Sequence, residues 1–429
     1  MVVDELFVKK GTEFLPVDSL DNQMIDEIVY EGESLHFAKQ KDLTGTSEIV
    51  ADNGVAEPIR SLVVSGNTVQ NGTPTPETPC PIENANDSGM SVVVHGDNII
   101  DQDDMVNGGT ITKAKYNEVE CIKVAKNGTF DIPFEVPANT PFSFSYERAF
   151  PKSDYYWFLK YEDGTFESGA FTSGYYPNTS QEQFQKVTKT NITRTKKIVA
   201  IQMRFYGGVN NGYYPMYFRN IMANLGTTVL PYQPYFLDEI SIPKSVEVGG
   251  EAIPLRLTKW DNITVDRQRR KVIYTEGSWQ RAMTGEENWR RTANQSFELY
   301  NMTTQTWSVI PEQYTGYCSD LVQKNSYWGT HGFATSSAER LLFAWTDRTS
   351  TVEEFKAYLK QRYAEGNPVV FLLRREKSNI IEHDITNTDL GQSLLALATG
   401  KGTNYLEITS NLAPSQTDLS YWRQIIPNE

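Results

Sequence analysis

The sequence contains few of the residues that build metal centres and disulfide frameworks: three cysteines and four histidines among 429 residues. Cys80, Cys121 and Cys318 are odd in number, far apart and without a C-x-x-C pair, which excludes a disulfide framework and a zinc ribbon. The histidines are scattered, whereas a zinc site needs several clustered ligands. This cysteine usage indicates a protein that assembles in a reducing cytoplasm.

Long apolar runs are also missing. No stretch of about 18 consecutive apolar residues occurs, so we expect no insertion into a membrane. Residues 1–5 include no basic residue and are not followed by an apolar run, so we expect no secretory signal.

Positively charged residues are also few: the chain contains 40 Lys and Arg and 54 Asp and Glu, which gives a net charge of −14. A nucleic-acid-binding surface displaces counterions with clustered cations, and an acidic chain repels the same polyanion, so we expect no nucleic-acid partner. With 39% hydrophobic and 22% charged residues, the composition is typical of a folded globular protein. At roughly 150 residues per domain, the length predicts about three domains.

Catalytic signatures are absent as well. The chain contains neither G-x-S-x-G nor H-E-x-x-H. Residues 400–403 resemble the end of a phosphate-binding loop, but Leu395 and Gly402 stand where that loop needs a glycine and a hydroxyl. Residues 101–104 begin like an EF-hand calcium loop, but Val106 stands where that loop needs a glycine. We predict a protein that is not an enzyme and has no cofactor, with an oxygen-rich Ca²⁺ site of another kind left open.

Aromatic residues are abundant, with 23 Tyr, 20 Phe and 8 Trp making 12% of the chain. Between residues 108 and 235, apolar and polar residues alternate, as at Phe142, Phe144 and Tyr146, and turn pairs such as Asp163-Gly164 separate the runs. Alternation gives each strand one buried and one solvated face. The sequence therefore predicts a mainly β protein built on an antiparallel β-sandwich.

Four regions follow from these patterns. Residues 1–55 contain β-hairpins, 56–107 form a Pro-rich linker with connecting strands, 108–235 form the sandwich, and 236–429 form a β-rich α+β module with two short helices. The first helix begins at Thr351, whose spacing to Glu354 is a capping box, and ends at Gly366. The second runs from Thr388 or Asp389 to the glycine at position 400, and an apolar strand over 369–373 lies between them.

Adjacent aromatic residues in the sandwich region are the candidate binding residues. Neighbouring side chains in a strand face opposite sides, so some of these rings lie outside the core, where a flat ring can stack on the apolar face of a sugar. The alternative is that they cover sandwich edges or contact a neighbouring subunit. The candidates are Tyr155, Tyr156, Trp157, Tyr175, Tyr176, Tyr213 and Tyr214.

Several segments carry a family resemblance. Residues 66–79, GNTVQNGTPTPETP, and the closing stretch 219–235 are similar to segments of tail-associated minor structural and receptor-binding proteins of phages and prophages of Gram-positive bacteria. The stretches 254–261, PLRLTKWD, and 394–403, LLALATGKGT, resemble the same group. Asn224-Leu225 departs from the acidic residue that usually precedes the glycine of the closing strand. The resemblance spans about residues 56–420.

The resemblance implies a jelly-roll sandwich of the carbohydrate-binding type and a place in the virion. Our leading hypothesis is a non-enzymatic tail fibre or baseplate component that binds other tail proteins through its N-terminal hairpins and presents the sandwich to host cell-wall glycan. A homotrimer is expected, because exposed strand edges need cover. One alternative is a purely structural fibre, collar or head-decoration protein, and a less favoured one is a polysaccharide depolymerase.

Overall fold

The fold is described from a computed structural model of the chain, which forms 33 β-strands and two α-helices over the described residues. These are residues 7–10, 13–16, 27–30, 33–36, 46–51, 57–59, 61–105, 111–124, 128–150, 154–167, 172–174, 181–206, 215–267, 269–291, 296–299, 316–324, 331–336, 341–346, 351–380, 384–412 and 416–420. The prediction of a mainly β, antiparallel protein with two short helices is confirmed. Along this described part of the chain, no helix is both long and apolar enough to cross a membrane.

Two hairpins near the N-terminus join into one antiparallel sheet. Its strands are β1 (Phe7–Lys10), β2 (Glu13–Pro16), β3 (Glu27–Tyr30) and β4 (Glu33–His36). The strand order is β2-β1-β3-β4, and β3 pairs with β4 in antiparallel register, in the region where the sequence predicts β-hairpins.

Six strands lie between residues 46 and 96: β5 (Thr46–Ala51), β6 (Glu57–Pro58), β7 (Ser61–Ser65), β8 (Thr68–Val69), β9 (Glu83–Asn84) and β10 (Met90–Gly96). The Pro-rich stretch between β8 and β9 is extended and packed, with Pro74 and Pro76 buried. The Cys80 backbone N–H donates to the Ser319 carbonyl at 2.7 Å. This stretch is therefore fixed to a distant part of the chain.

The sandwich contains nine strands in two antiparallel sheets. They are β11 (Ile111–Tyr116), β12 (Val119–Val124), β13 (Gly128–Val136), β14 (Phe142–Phe150), β15 (Asp154–Tyr161), β16 (Thr172–Gly174), β17 (Gln181–Ile192), β18 (Ile198–Tyr206) and β19 (Met216–Leu225). One sheet has the order β11-β12-β19-β14-β17 and the other β13-β18-β15-β16. The chain crosses between the sheets from β12 to β15 at each step, as in a jelly roll.

The sandwich core lies between the inward faces of these sheets. The five-stranded sheet contributes Phe144 and Phe218, and the four-stranded sheet contributes Trp157, Ile201 and Met203, all at most 1% exposed. The residues alternating with them face outward, as the period of two in the sequence predicts. Both outer faces of the sandwich are therefore available to polar and aromatic side chains.

The remaining elements follow the sandwich. They are β20 (Leu237–Ile242), β21 (Ser245–Val248), β22 (Glu251–Pro254), β23 (Asn262–Asp266), β24 (Lys271–Ala282), β25 (Trp289–Arg291), β26 (Phe297–Leu299), β27 (Gly316–Cys318), β28 (His331–Ser336), β29 (Leu341–Thr346), α1 (Val352–Ala364), β30 (Val370–Asn379), α2 (Asp389–Ala396), β31 (Ala398–Thr399), β32 (Gly402–Ser410) and β33 (Gln416–Ser420).

Both predicted helices are present. The Thr351 hydroxyl accepts from the Glu354 N–H at 3.1 Å and the Glu354 carboxylate accepts from the Thr351 N–H at 3.0 Å, which completes the capping box of α1. Helix α2 ends at Ala396, before the predicted stop at the glycine of position 400, because Ala398–Thr399 pair with Glu57–Pro58 as a short antiparallel strand.

Strands from before and after the sandwich share two sheets and one core. Strand β7 lies between β23 and β33 in the sheet β27-β30-β24-β23-β7-β33, and β10 lies between β20 and β32 in the sheet β20-β10-β32-β5. Val64, Val92, Ile240 and Leu406 meet in that core. We call residues 46–96 together with 237–420 the composite module. The sequence predicts 56–107 as a linker with connecting strands. The pairing of β7 and β10 with strands that follow the sandwich cannot be read from a local sequence pattern, because the partners lie far apart in the chain.

The sandwich is inserted into the composite module between two neighbouring strands. His95, near the end of β10, lies opposite Leu237, the first residue of β20. The chain therefore leaves and re-enters the module at adjacent points. A second core of the composite module surrounds α1, where the Phe355 ring stacks on Phe297 at 4.4 Å between centroids.

Candidate functional site

Most of the predicted binding residues lie outside the described part of the chain. Tyr175, Tyr176, Tyr213 and Tyr214 lie outside the described residues, as does the Tyr155 side chain. Tyr156 is described and half-buried on the outer face of the four-stranded sheet, 6.3 Å from the Phe158 ring. The role of these predicted tyrosines in binding stays a prediction.

Trp157 belongs to the core. Its side chain is 0% exposed and lies 5.0 Å from the Phe144 ring, 5.1 Å from Tyr146 and 6.2 Å from Phe218 between centroids. Strand parity explains this position, because Trp157 and Leu159 alternate with the outward-facing Tyr156. The Trp157 ring therefore offers no face for a ligand.

The structure instead brings three rings together on the outer face of the five-stranded sheet. The Tyr116 and Tyr217 rings stack at 4.3 Å with an interplanar angle of 23°, and Phe184 meets Tyr116 edge-on at 6.0 Å. All three side chains are half-buried and come from β11, β19 and β17, which are separated in sequence. We call Tyr116, Phe184 and Tyr217 the aromatic platform.

Polar side chains flank the aromatic platform. Arg219 places its guanidinium carbon 4.3 Å from the Phe184 ring centroid and donates from Nε to Glu147 Oε2 at 2.6 Å. Asn220 Nδ2 donates to Glu147 Oε1 at 3.1 Å. Asn220 has φ of +51°, in the left-handed region that asparagine tolerates, at an irregularity in the pairing of β14 with β19. Flat rings beside a bonded arginine, carboxylate and amide combine an apolar surface with polar groups that can fix the orientation of a small ligand.

A cleft of about 400 Å³ adjoins the polar flank. It opens where β12 and β19 separate, since their register joins only 122–124 with 216–218. The residues that line it include cations, carboxylates and the two flanking residues named above: Gln102, Asp103, Lys113, Ala114, Lys115, Glu120, Cys121, Ile122, Arg219 and Asn220. A cleft of this size accommodates a single sugar residue and part of its neighbour.

Two ionisable groups near the platform are kept neutral. Burial, with smaller contributions from Cys121 and Tyr116, raises the pKa of the Tyr217 hydroxyl above 10.0, so this group remains a hydrogen-bond donor at neutral pH. Burial also raises the pKa of the Cys121 thiol, which donates to the Ala114 carbonyl at 3.4 Å between sulfur and oxygen. The site therefore combines the neutral Tyr217 hydroxyl and Cys121 thiol with the charged pair of Arg219 and Glu147.

The acidic segment 101–104 is engaged locally. Asp101 Oδ1 accepts from the Asp103 N–H at 2.9 Å, and Asp103 Oδ2 pairs with Lys113 Nζ at 2.7 Å. Within the described ranges, no three His, Cys, Asp or Glu side chains come together as a group that could bind a metal ion.

Tyr116, Phe184 and Tyr217 are not among the aromatic residues that the sequence predicts as binding residues. Tyr217 lies between the core residues Met216 and Phe218, so the alternation of the strand places it outward. Tyr116 immediately precedes the two-residue turn of Asn117 and Glu118, which both have positive φ. The alternation therefore indicates which rings face outward, but it does not indicate that three distant strands bring these rings together.

Comparison with known proteins does not assign a role to this site. No protein-family model matches the chain, and no curated protein matches it.

Proposed function

We propose that the chain is a non-enzymatic component of a phage or prophage tail apparatus, and that its sandwich binds saccharide on the outer face of the five-stranded sheet. The observation that carries the binding proposal is the aromatic platform with its flanking Arg219, Glu147 and Asn220 beside the cleft. The tail assignment rests on the family resemblance of residues 56–420.

Several weak sites on one particle give the proposed adhesion its strength. A half-buried ring pair binds one sugar weakly, whereas linking copies raises avidity by about 10²–10⁴-fold without new contacts. We propose a homotrimer on a virion, joined to other tail proteins. Light scattering tests the assembly: a trimer mass is expected, and a monomer mass at micromolar concentration contradicts it.

The binding proposal is tested with matched tyrosine variants of the full chain. Tyr217→Ala removes half of the stacked pair, and Tyr363→Ala removes a tyrosine that is 52% exposed on α1, away from the sandwich. On a glycan array and on host cell walls, Tyr217→Ala should lose about tenfold in affinity, the order expected for one aromatic contact. Tyr363→Ala should bind like the unaltered protein.

Other outcomes favour the other hypotheses. Absence of binding to every glycan and to host walls supports a purely structural fibre, collar or head-decoration role. Release of new reducing ends from host polysaccharide, lost on replacing one carboxylate, supports a depolymerase. Equal binding by both tyrosine variants places the saccharide away from the aromatic platform.

A further inference from the structure

The outer face of the four-stranded sheet contains a second cluster of an arginine with aromatic rings. The Arg204 guanidinium carbon lies 4.2 Å from the Phe158 ring centroid and 5.3 Å from that of Phe166. Arg204 Nε donates to Gln202 Oε1 at 2.5 Å. Among the side chains that the structure describes, no carboxylate forms an ion pair with Arg204.

The two faces of the sandwich use the same motif with opposite charge balance. On the five-stranded sheet, Arg219 stacks on Phe184 and is neutralised by Glu147 at 2.6 Å. On the four-stranded sheet, the nearby carboxylate of Asp131 is occupied by Lys160 Nζ at 2.6 Å and by an amide. Among the described side chains of this face, Lys160 and Arg204 therefore set two positive charges against the one negative charge of Asp131, on a chain whose net charge is −14.

The Asp131 carboxylate is the counter-ion of Lys160. Burial raises the pKa of this carboxyl, but hydrogen bonds from Lys160 and Gln202 outweigh burial and keep the pKa below its ordinary value of 3.8. The carboxylate is thus ionised at neutral pH and directed toward Lys160. Within the described part of the chain, no acceptor is bonded to the terminal N–H groups of Arg204, which can therefore bind an external one.

A guanidinium lying flat on rings presents its N–H edge in the fork that matches an oxyanion. Phe166 is 36% exposed, and Tyr156 and Phe158 are half-buried beside it, which supplies an apolar surface for a sugar ring. We infer that this face is a second saccharide site, selective for sugars with an anionic substituent: Arg204 binds the carboxylate or phosphate, and the sugar ring lies against Phe166. The inference rests on the proposed saccharide-binding role of the sandwich.

Binding at this second site is sensitive to salt, whereas stacking at the aromatic platform is not. The test therefore uses calorimetric titration of the full chain at about 0.05 M and about 0.5 M salt. The probes are a neutral β-glucan oligomer, a galacturonate oligomer and a phosphate-substituted β-glucan oligomer of equal length. The tighter of the two charged probes identifies whether carboxylate or phosphate is the preferred anion.

Arg204→Gln is compared with Lys271→Gln, which removes the same charge from an exposed position at the start of β24 in the composite module. Arg204→Gln should weaken binding of a charged oligomer by about tenfold or more, as should high salt. Lys271→Gln should match the unaltered protein. Phe166→Ala, at an exposed ring, should weaken the same oligomer several-fold and serves if Arg204→Gln does not fold.

The outcomes separate this inference from the proposed function. Equal binding of the charged oligomers by the unaltered protein and by Arg204→Gln overturns the inference. Binding of the neutral oligomer alone also overturns it and leaves the proposed role of the aromatic platform intact. Arg204-dependent binding of a charged oligomer without neutral binding supports the inference and contradicts the proposed role of the platform. Failure of all three probes to bind overturns both.

Discussion

The sandwich and the composite module are both antiparallel β structures, but among the described residues the sandwich buries one charged side chain, Arg148, whereas the composite module buries several. In the sandwich, the polar clusters around Arg219 and Arg204 lie on outer faces over an aromatic and aliphatic core. In the composite module, charged groups are buried: Asp261 is 1% exposed, and Arg375 binds Glu276 at 2.6 Å with both side chains below 10% exposure. The sandwich is thus suited to presentation and the composite module to structural support.

Two of the segments that resemble phage tail proteins lie in the composite module and contact each other. Segments 66–79 and 254–261 meet in space, because the Gly66 N–H donates to the Asp261 carbonyl at 3.1 Å and the Lys259 N–H to Thr68 Oγ1 at 3.1 Å. Asp261 Oδ1 also accepts from the Gly277 and Ser278 N–H groups at the irregularity of β24. These two segments therefore form a joint of the composite module, while the three rings of the aromatic platform lie outside the segments that carry the resemblance.

The largest expected effect separates the two regions by stability. Trp157→Ala removes a fully buried indole from the sandwich core, and we expect it to cost about 3–5 kcal/mol of the free energy of unfolding. Because the sandwich and the composite module have separate hydrophobic cores, calorimetry should show only the sandwich transition shifted. A single transition that shifts as a whole contradicts this separation.

A smaller effect is expected at the joint of the composite module. A Cβ on Gly66 would lie 1.9 Å from the Leu257 carbonyl oxygen, so Gly66→Ala forces a backbone shift and should cost about 1–3 kcal/mol. Gly96→Ala is the control, since its Cβ would meet Thr403 O at 3.7 Å, an ordinary contact. Urea unfolding should show a loss for Gly66→Ala and little change for Gly96→Ala. Equal losses contradict the assigned joint.

Asp261 predicts a pH dependence in the composite module alone. Burial raises the pKa of its carboxyl from 3.8 to about 6, against hydrogen bonds from Thr258 and Ser278 that lower it. Because the folded-state pKa is raised, the stabilising contribution of the protonated carboxyl is complete below about pH 3.8 and is lost as pH rises through about 6. Unfolding free energies should fall by about 2–3 kcal/mol over that range.

Asp261→Asn is expected to remove that pH dependence, and Asp266→Asn, a substitution on the neighbouring β23, to retain it. The measurement is urea unfolding of the composite-module transition between pH 4 and pH 7, where the rest of the titration is common to both variants. Identical pH profiles for the two variants would falsify the role assigned to Asp261.

The smallest effect concerns α1. Thr351→Ala removes the hydroxyl that accepts from the Glu354 N–H, and loss of such a cap costs about 1 kcal/mol. Thermal melting should show a shift of a few degrees in the composite-module transition and none in the sandwich. A shift of the sandwich transition indicates that the two regions are energetically coupled.

Local features of the fold were predictable, and long-range ones were not. The sandwich strands, the capping box at Thr351 and both helices follow from alternation and from capping residues. The pairing of β7 with β23 and of β10 with β32 joins residues that lie far apart in sequence, and the local pattern around each strand does not indicate its partner. The aromatic platform shares this limit, since Tyr116, Phe184 and Tyr217 become neighbours only when the jelly roll closes.

Hydrogen–deuterium exchange of the full chain with and without a bound neutral oligosaccharide tests the division of roles most directly. Ligand binding on the aromatic platform should slow exchange in β11, β12, β17 and β19 and leave the strands of the composite module unchanged. Slowed exchange confined to β20–β33, with no change in the five-stranded sheet of the sandwich, contradicts the assignment of binding to the sandwich.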